Sequence, residues 1–262
     1  MTDTAQSHPH LTVVREGAVL TVTLDNPERR NAQTPSLWLA LADLATGLDP
    51  DVRVVVLRGE GPSFSAGLDR AMLAPGGVPG ETDMIAMAAE SAEGAARTIE
   101  DFQRGFSAWA TVPAVVVAAV QGHAIGAGFQ LALAADLRVV ADDVQLAMRE
   151  TSLGLVPDLG GTGPLVSLVG PARALEICAT GRFVGAAEAV ATGLANVAVP
   201  VAALRETTDD LVAALLSAPD AALRELKPLL RSASSADRET QLRREREAQG
   251  RLLHGIAGLL RG

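Results

Sequence analysis

A strand–turn–helix segment in the middle of the chain constrains the fold more than any other feature. Pro113–Val120 (PAVVVAAV) is a continuous apolar run, which is typical of a strand buried on both faces. The glycines of GHAIGAG (122–128) then predict a tight turn that opens a helix ending near Ala134. Such a turn presents free backbone N–H groups at the positive end of a helix, so it is suited to binding an oxyanion or a phosphate.

The other apolar patterns predict an α/β fold with a helical appendage. Leu11–Arg15 and Ala18–Leu24 are β-rich runs that form a hairpin, and Val52–Leu57 is a further apolar strand. Helical spacing predicts one long helix over Ile85–Trp109. From Val201 onward the pattern is helical only.

These patterns divide the chain into three parts. Residues 1–10 are polar and are predicted to be disordered, residues 11–200 are predicted to form the α/β core, and residues 201–262 a helical region. Because that helical region is apolar on one face, we expect it to pack on the core or on another subunit.

Composition excludes several classes of protein. The formal net charge of −9 argues against nucleic acid as the main partner. Cys178 is the only cysteine, so no disulfide can form within the chain, and the four histidines show no metal-ligand spacing. The first residues lack the apolar segment of a signal peptide, and no apolar run is long enough to span a membrane. A cytoplasmic protein without a metal is therefore expected.

Common nucleotide and hydrolase motifs are absent from the sequence. After Gly126-Ala127-Gly128, the third glycine of a dinucleotide fingerprint is replaced by Leu131, and neither GxxxxGK[ST] nor GxSxG occurs. Two glycine-containing loops remain, Ala66-Gly67-Leu68 and Gly126-Ala127-Gly128, each after a predicted strand. Two N–H groups converging on one oxygen would form an oxyanion hole. The alternative is that these glycines serve tight turns only.

An ordered set of segments resembles a known family. The sequence is similar to the enoyl-CoA hydratase/isomerase, or crotonase, superfamily over about residues 11–260. The resemblance implies a crotonase-like spiral of ββα units, a C-terminal helical trimerisation region and an acyl-CoA substrate, with no separate cofactor. It also implies a homotrimer or a dimer of trimers. The segments are DNPERRNA (25–32), FSAGLD (64–69), GHAIGAGFQLALAADLRVVA (122–141), ETSLGLVPDLGGT (150–162) and GRFVGAAEAVATGLAN (181–196).

The same resemblance implies which residues bind the substrate. The N–H groups of Leu68 and Ala127 would hold the thioester oxygen, and Ala127 stands where the family usually has glycine. The residues implied in coenzyme A binding are Arg29, Ala32, Ala66 and Asp69.

The catalytic residues implied by the resemblance are Glu150, Asp158 and Gln130. Hydratases of the family use two glutamates around one water; Glu150 matches the second, whereas Gln130 replaces the first by an amide that does not titrate near pH 7. Asp158 matches the position at which several isomerases of the superfamily carry a catalytic aspartate. The resulting hypothesis is double-bond isomerisation of an enoyl- or dienoyl-CoA by Asp158 and Glu150, with burial raising the pKa of both.

Alternatives remain for the function and for each residue. The protein could be an enoyl-CoA hydratase that uses Glu150 alone, or a non-catalytic acyl-CoA binding protein. Asp158 could instead cap the following helix or serve a turn after proline, and Gln130 could be a polar residue packed at the start of its helix. Glu150 could be a solvated carboxylate at the end of a strand.

Overall fold

The computed structural model describes residues 3–259, without the side chains of residues 3–7 and 259. Predictions for residues 1, 2 and 260–262 lie outside the described residues. The strands are β1 (Asp3–His8), β2 (Leu11–Glu16), β3 (Val19–Leu24), β4 (Val54–Gly59), β5 (Val115–Val120), β6 (His123–Ile125), β7 (Leu137–Ala141), β8 (Gln145–Ala147), β9 (Val184–Gly185) and β10 (Val197–Val199). The helices are α1 (Pro35–Thr46), α2 (Met84–Ala88), α3 (Ala92–Thr111), α4 (Ala127–Ala134), α5 (Thr162–Thr180), α6 (Ala186–Ala191), α7 (Leu204–Ser217), α8 (Asp220–Ala233) and α9 (Arg238–Leu259).

The strands form one large and one small sheet. The large sheet has the order β1-β2-β3-β4-β5-β7-β10, and the small one β6-β8-β9. From β3 to β10 the neighbours in the large sheet run parallel, whereas β1, β2 and β3 pair antiparallel. In β5–β6–α4 and again in β7–β8–α5, one strand joins the large sheet and the next joins the small one before the helix begins.

The central strands β4 and β5 of the large sheet are buried on both faces, which explains their continuous apolar runs. On β4, Val55 and Leu57 face the main core, together with residues of α1, α3 and α4. Val54 and Val56 face the other side, where Leu204 and Val212 of α7 cover them. Because alternate side chains of a strand point to opposite faces, both halves of each run must be apolar.

The N-terminal prediction of disorder is wrong for the described residues. Asp3–His8 form β1, which pairs antiparallel with β2; for example, Ala5 lies opposite Val13. Strand pairing uses backbone N–H and C=O groups, so a polar segment joins a sheet edge without an apolar pattern. His8 also contacts α1, because its Nε2 lies 3.0 Å from Ser36 Oγ.

The helix predicted over Ile85–Trp109 is two helices in the structure. The first, α2, ends at Ala88, and α3 begins at Ala92. Ser91 causes the second start, because its side-chain oxygen accepts a hydrogen bond from the N–H of Gly94 at 3.1 Å. Helix α3 therefore begins at its own N-cap, Ser91, and is not a continuation of α2.

The C-terminal helical region is joined to the core by the only lysine of the chain. Lys227 of α8 is buried, and its Nζ lies 2.7 Å from Asp136 Oδ2 and donates to the carbonyl oxygen of Ala114 at 2.8 Å. In the described residues, no helix is both long enough and apolar enough to cross a membrane.

Candidate active site

Two loops after parallel strands approach each other closely at Gly67. This residue has φ +83°, and a Cβ on it would lie 2.3 Å from the carbonyl oxygen of Ile125 and 3.4 Å from the amide nitrogen of Ala127. Ser65 bridges the same strand: its N–H donates to His123 O at 2.9 Å, and its carbonyl accepts from Ile125 N–H at 3.0 Å. The loop after β4 and the turn before α4 are thereby joined backbone to backbone.

Asn31 and Ser65 hold the first of these loops in place. Asn31 is buried with φ +54°, and its Nδ2 donates to the carbonyl oxygens of Glu60, Ser63 and Phe64 at 2.8 to 3.2 Å. Ser65 Oγ donates to Asn31 O and accepts from Gly67 N–H at 3.1 Å. A buried network in which every member is paired makes a loop rigid.

The N–H groups of Leu68 and Ala127 remain available to a ligand. The bonds Gln33 N–H to Gly67 O and Asp69 N–H to Gln33 O, both 2.8 Å, flank Leu68 and leave its own N–H unused. Within the described residues, neither Leu68 N–H nor Ala127 N–H donates to another group. Ala127 is the first residue of α4, so its N–H also points along the positive end of that helix.

Gln130 is buried, and both ends of its amide are engaged. Its Oε1 accepts the N–H of Leu159 at 2.9 Å and the N–H of Gly161 at 3.2 Å, while its Nε2 donates to Glu150 Oε1 at 2.8 Å. Gly161 must lack a side chain here, because a Cβ would lie 2.6 Å from Gln130 Cγ. Gln130 therefore links Glu150 to the loop that carries Asp158.

Glu150 has one free carboxylate oxygen inside the protein. Its Oε1 takes the hydrogen bond from Gln130, while its Oε2 is buried without a partner among the described residues. Burial raises the pKa of Glu150, and the charge of Asp158 raises it further. A Cβ on Gly126 would lie 3.3 Å from Glu150 Oε1, so this carboxyl is next to the glycine turn.

Asp158 lies half-buried in the loop before α5, and burial raises the pKa of its carboxyl. Its carboxylate accepts no hydrogen bond from the side chain of another described residue, whereas its carbonyl oxygen accepts one from Gln103 Nε2 at 2.6 Å. The helix that follows has Gly161 at its N-cap without a side-chain cap, so Asp158 does not serve as that cap. The structure thus brings Glu150, Asp158 and Gln130 into one site.

The predicted coenzyme A residues lie beside this site, and two of them pair with each other. Arg29 binds Asp69 in a bidentate ion pair, with both N–O distances 2.9 Å. The Arg29 side chain is 55% exposed and that of Asp69 only 6%, so the arginine reaches solvent and the aspartate holds it. Ala66 donates its N–H to Arg30 O, and Ala32 donates its N–H to Arg29 O in the same turn.

Comparisons with known proteins identify the family. The enoyl-CoA hydratase/isomerase family model matches residues 14–255. The chain belongs to this family. Carnitinyl-CoA dehydratase of Escherichia coli (strain K12) is 36% identical, in an alignment that covers 86% of this chain and 80% of that protein.

Solved structures of the family confirm the predicted fold. A proposed enoyl-CoA hydratase from Thermobifida fusca YX superposes with a TM-score of 0.91 at 46% identity, covering 95% of each chain. Its complex with acetoacetyl-CoA gives a TM-score of 0.89 over 94% of this chain and 95% of that one, also at 46% identity. The crotonase fold and the C-terminal helical region are therefore as predicted.

Two residues of the site, Asn31 and Gln103, were not predicted from the sequence. Asn31 could have been found, because asparagine tolerates the left-handed conformation that follows a short turn, and it lies within the family segment DNPERRNA. Gln103 gave no signal, since a glutamine on a long amphipathic helix is usually solvated. Within the described residues, no group of His, Cys, Asp and Glu side chains could hold a metal ion.

Proposed function

We propose that the protein isomerises the double bond of an enoyl- or dienoyl-CoA. The observation that carries this proposal is the buried, unpartnered Oε2 of Glu150 within electrostatic range of Asp158. Gln130 stands where the family's hydratases have their first glutamate, and both ends of its amide are hydrogen-bonded, to Glu150 and to the 159–161 backbone. The site therefore has two proton-transfer groups, Glu150 and Asp158, and a fixed amide between them.

The proposed reaction consists of two proton transfers, which leave the two carboxyl groups with exchanged protonation states that proton exchange with solvent restores. One carboxylate removes a proton from Cα of a 3-enoyl-CoA, and the C–H electron pair becomes the Cα–Cβ double bond. The electron pair of the old Cβ–Cγ double bond takes a proton at Cγ from the other carboxyl group. In between, negative charge rests on the thioester oxygen, where the N–H groups of Leu68 and Ala127 would stabilise it. No water is consumed, and the composition of the substrate is unchanged.

Coenzyme A would bind along the loops that hold Arg29 and Ala66. The exposed Arg29 side chain forms an ion pair with the buried Asp69 carboxylate. This arrangement is suited to a guanidinium that binds a phosphate group. The carbonyl of Ala66 accepts no hydrogen bond from the described residues, so it is available to a ligand, with Ala32 in the adjacent turn. The Thermobifida fusca protein has been solved with acetoacetyl-CoA, which supports this ligand class. No further cofactor is proposed.

A trimer or a dimer of trimers is the proposed assembly. Apolar side chains on the C-terminal helices stay exposed in the single chain, among them Leu230 of α8 and Leu253 and Ile256 of α9. Large apolar side chains left exposed on helices in this way are typical of subunit contacts.

Hydration is the second candidate. It is favoured by the name of the Escherichia coli relative, a dehydratase, and it would use Glu150 alone to activate water. Incubation with 2-enoyl-, 3-enoyl- and 3,5-dienoyl-CoA, followed by chromatographic separation of the products and mass spectrometry, separates the candidates, because isomers of equal mass elute at different times. Isomerisation converts the 3-enoyl or dienoyl substrate without a change of mass, whereas hydration adds one water to the 2-enoyl substrate. Water addition as the fastest reaction would overturn the proposal, as would tight binding without any turnover.

A further inference from the structure

The peptide bond between Asp158 and Leu159 is held from both sides by glutamine side chains. Its carbonyl accepts a hydrogen bond from Gln103 Nε2 at 2.6 Å, and its N–H donates one to Gln130 Oε1 at 2.9 Å. Gln103 belongs to α3 and Gln130 to α4. Two separate helices thus meet at one peptide unit.

This contact restrains the backbone from which the Asp158 side chain projects. A peptide unit is planar, so two hydrogen bonds at its opposite ends fix the backbone on the carbonyl side of Asp158. The carboxylate accepts no hydrogen bond from another described residue that would orient it. The adjacent Gly160 has φ +87° and no atom within 4 Å of the position of a Cβ, whereas the Leu159 side chain is buried in the main core. The two glutamines therefore restrain the Asp158–Leu159 peptide together with the buried Leu159 side chain.

The same contacts connect Asp158 to Glu150. The orientation of the Gln130 amide is set by its partners: its oxygen accepts two backbone N–H groups, so its nitrogen must face Glu150 Oε1. A continuous path then runs from Gln103 through the 158–159 peptide and Gln130 to Glu150. The separation of the two carboxyl groups follows from this path.

We propose that Gln103 is a positioning residue, which acts through the Asp158–Leu159 peptide to hold the Asp158 carboxyl in place relative to Glu150. The proposal rests on the proposed function for its catalytic consequence only. Gln103 touches the backbone of Asp158 and none of the reacting atoms, so its loss should lower kcat and leave KM nearly unchanged. The transfer of a proton is sensitive to small displacements of the donor or acceptor.

The test compares Gln103→Met with a matched control. Methionine keeps the length of the side chain and removes the donor. Gln241→Met is the control, because Gln241 of α9 also donates to a backbone carbonyl, that of Leu229 at 3.2 Å, away from the site. We expect Gln103→Met to lower kcat for isomerisation about tenfold, and Gln241→Met to have no effect on kcat. An unchanged kcat in Gln103→Met would overturn the proposal.

Two further readouts separate positioning from a general loss of structure. Hydrogen exchange of the peptide that contains residues 158–161 should become faster in Gln103→Met and stay as in the wild type in Gln241→Met. In an Asp158→Asn background, Gln103→Met should cause no further loss of kcat, because its effect passes through the Asp158 carboxyl. An equal loss in both backgrounds would contradict the proposal.

Failure of the proposed function gives a different result. If Asp158→Asn keeps the wild-type rate of isomerisation, the assignment of Asp158 to catalysis is wrong, and so is the catalytic consequence of Gln103. The hydrogen-exchange measurement does not depend on turnover. Unchanged exchange in Gln103→Met would overturn the contact itself.

Discussion

Gln130 Nε2 donates a 2.8 Å hydrogen bond to Glu150 Oε1, so a neutral amide lies directly beside this carboxyl group. It leaves Glu150 with one oxygen stabilised and the other free for a proton. The other half of the Gln130 amide holds the backbone around Asp158. Gln130 thus contacts both the Glu150 carboxyl and the loop that carries Asp158.

Gln130→Glu should convert this arrangement into a pair of carboxylates. The introduced carboxylate would keep the acceptor for the N–H groups of Leu159 and Gly161, but it would place a second oxygen near Glu150 Oε1. One proton must then be shared, so the acidic limb of the pH profile of kcat/KM should move to higher pH. Hydration of 2-enoyl-CoA should rise relative to the wild type. A pH profile identical to the wild type would show that the two groups do not interact.

Gly67→Ala should damage the proposed oxyanion hole. Its Cβ would lie 2.3 Å from Ile125 O in a backbone with φ +83°, so we expect a loss of about 2–4 kcal/mol in unfolding free energy. The kcat should fall at least about 100-fold, because the adjacent Leu68 N–H moves. Gly193→Ala is the control, since Gly193 has φ +79° with no atom near its Cβ position. Equal effects of both variants would contradict the role of the Gly67 contact.

Arg29→Ala should weaken coenzyme A binding more than it slows the reaction. The variant removes the exposed guanidinium that Asp69 holds, and we expect Kd for free coenzyme A to rise about tenfold with kcat nearly unchanged. Arg15→Ala is the control, because Arg15 also pairs with an aspartate, Asp49, and carries the same charge. Calorimetric titration measures Kd for both variants; a Kd equal to the wild type in Arg29→Ala would remove this residue from the site.

Glu150→Gln should stabilise the protein in a pH-dependent way. Burial raises the pKa of Glu150 in the folded state, so the wild type has its full stability below the ordinary pKa of 4.5 and loses part of it as pH rises through the folded value. The variant does not titrate at this position. The difference in unfolding free energy between the variant and the wild type should therefore grow between the unfolded and folded pKa values and then level off at higher pH. The size of the gain is about 1.4 kcal/mol for each pH unit between the folded and unfolded pKa values.

Denaturant unfolding at a series of pH values from about 4 to about 8 measures this gain, because that range spans ordinary and raised carboxyl pKa values. Glu225→Gln is the control. Arg251 lowers the pKa of Glu225, so this variant should show no such gain. A gain in unfolding free energy of Glu150→Gln that becomes smaller with rising pH would contradict the raised pKa of Glu150.

Lys227→Met should loosen the C-terminal helical region from the core. It leaves Asp136, only 16% exposed, without the cation at 2.7 Å and with Arg231 at 3.8 Å as its remaining ion-pair partner, so we expect a loss of about 3 kcal/mol, the lower end of the cost of breaking a buried pair. Arg205→Met is the control, since its pair with Asp209 is exposed and should contribute less than about 1 kcal/mol. Thermal unfolding measures both variants. A loss in Lys227→Met no larger than in the control would contradict the burial of this ion pair.

The elements of the core could be predicted because their patterns are local. The apolar run Pro113–Val120 predicts a buried strand, and the following glycines predict a turn, since both depend on neighbouring residues only. Asp3–His8 could not be predicted, because a polar edge strand is stabilised by the backbone of a distant partner. The break before Ala92 depends on a single capping serine within a helical pattern.

The site could be predicted as a set of residues but not as a set of contacts. Family segments point to Glu150, Asp158 and Gln130 by their positions, yet an amide side chain gives no sign of its partners. The partners of Gln130 are backbone groups about thirty residues later, which only the packing of the loop against α4 brings together. Gln103 reaches Asp158 across an even longer separation.

Asp158 is expected to transfer a proton during isomerisation, and the most direct test of this role is the kcat of Asp158→Asn with 3-enoyl-CoA. The variant keeps the size of the side chain and removes its acid–base function. We expect kcat to fall about 100-fold or more, with Kd for coenzyme A unchanged. A kcat close to that of the wild type, or rapid hydration of 2-enoyl-CoA that survives in Asp158→Asn, would contradict this role.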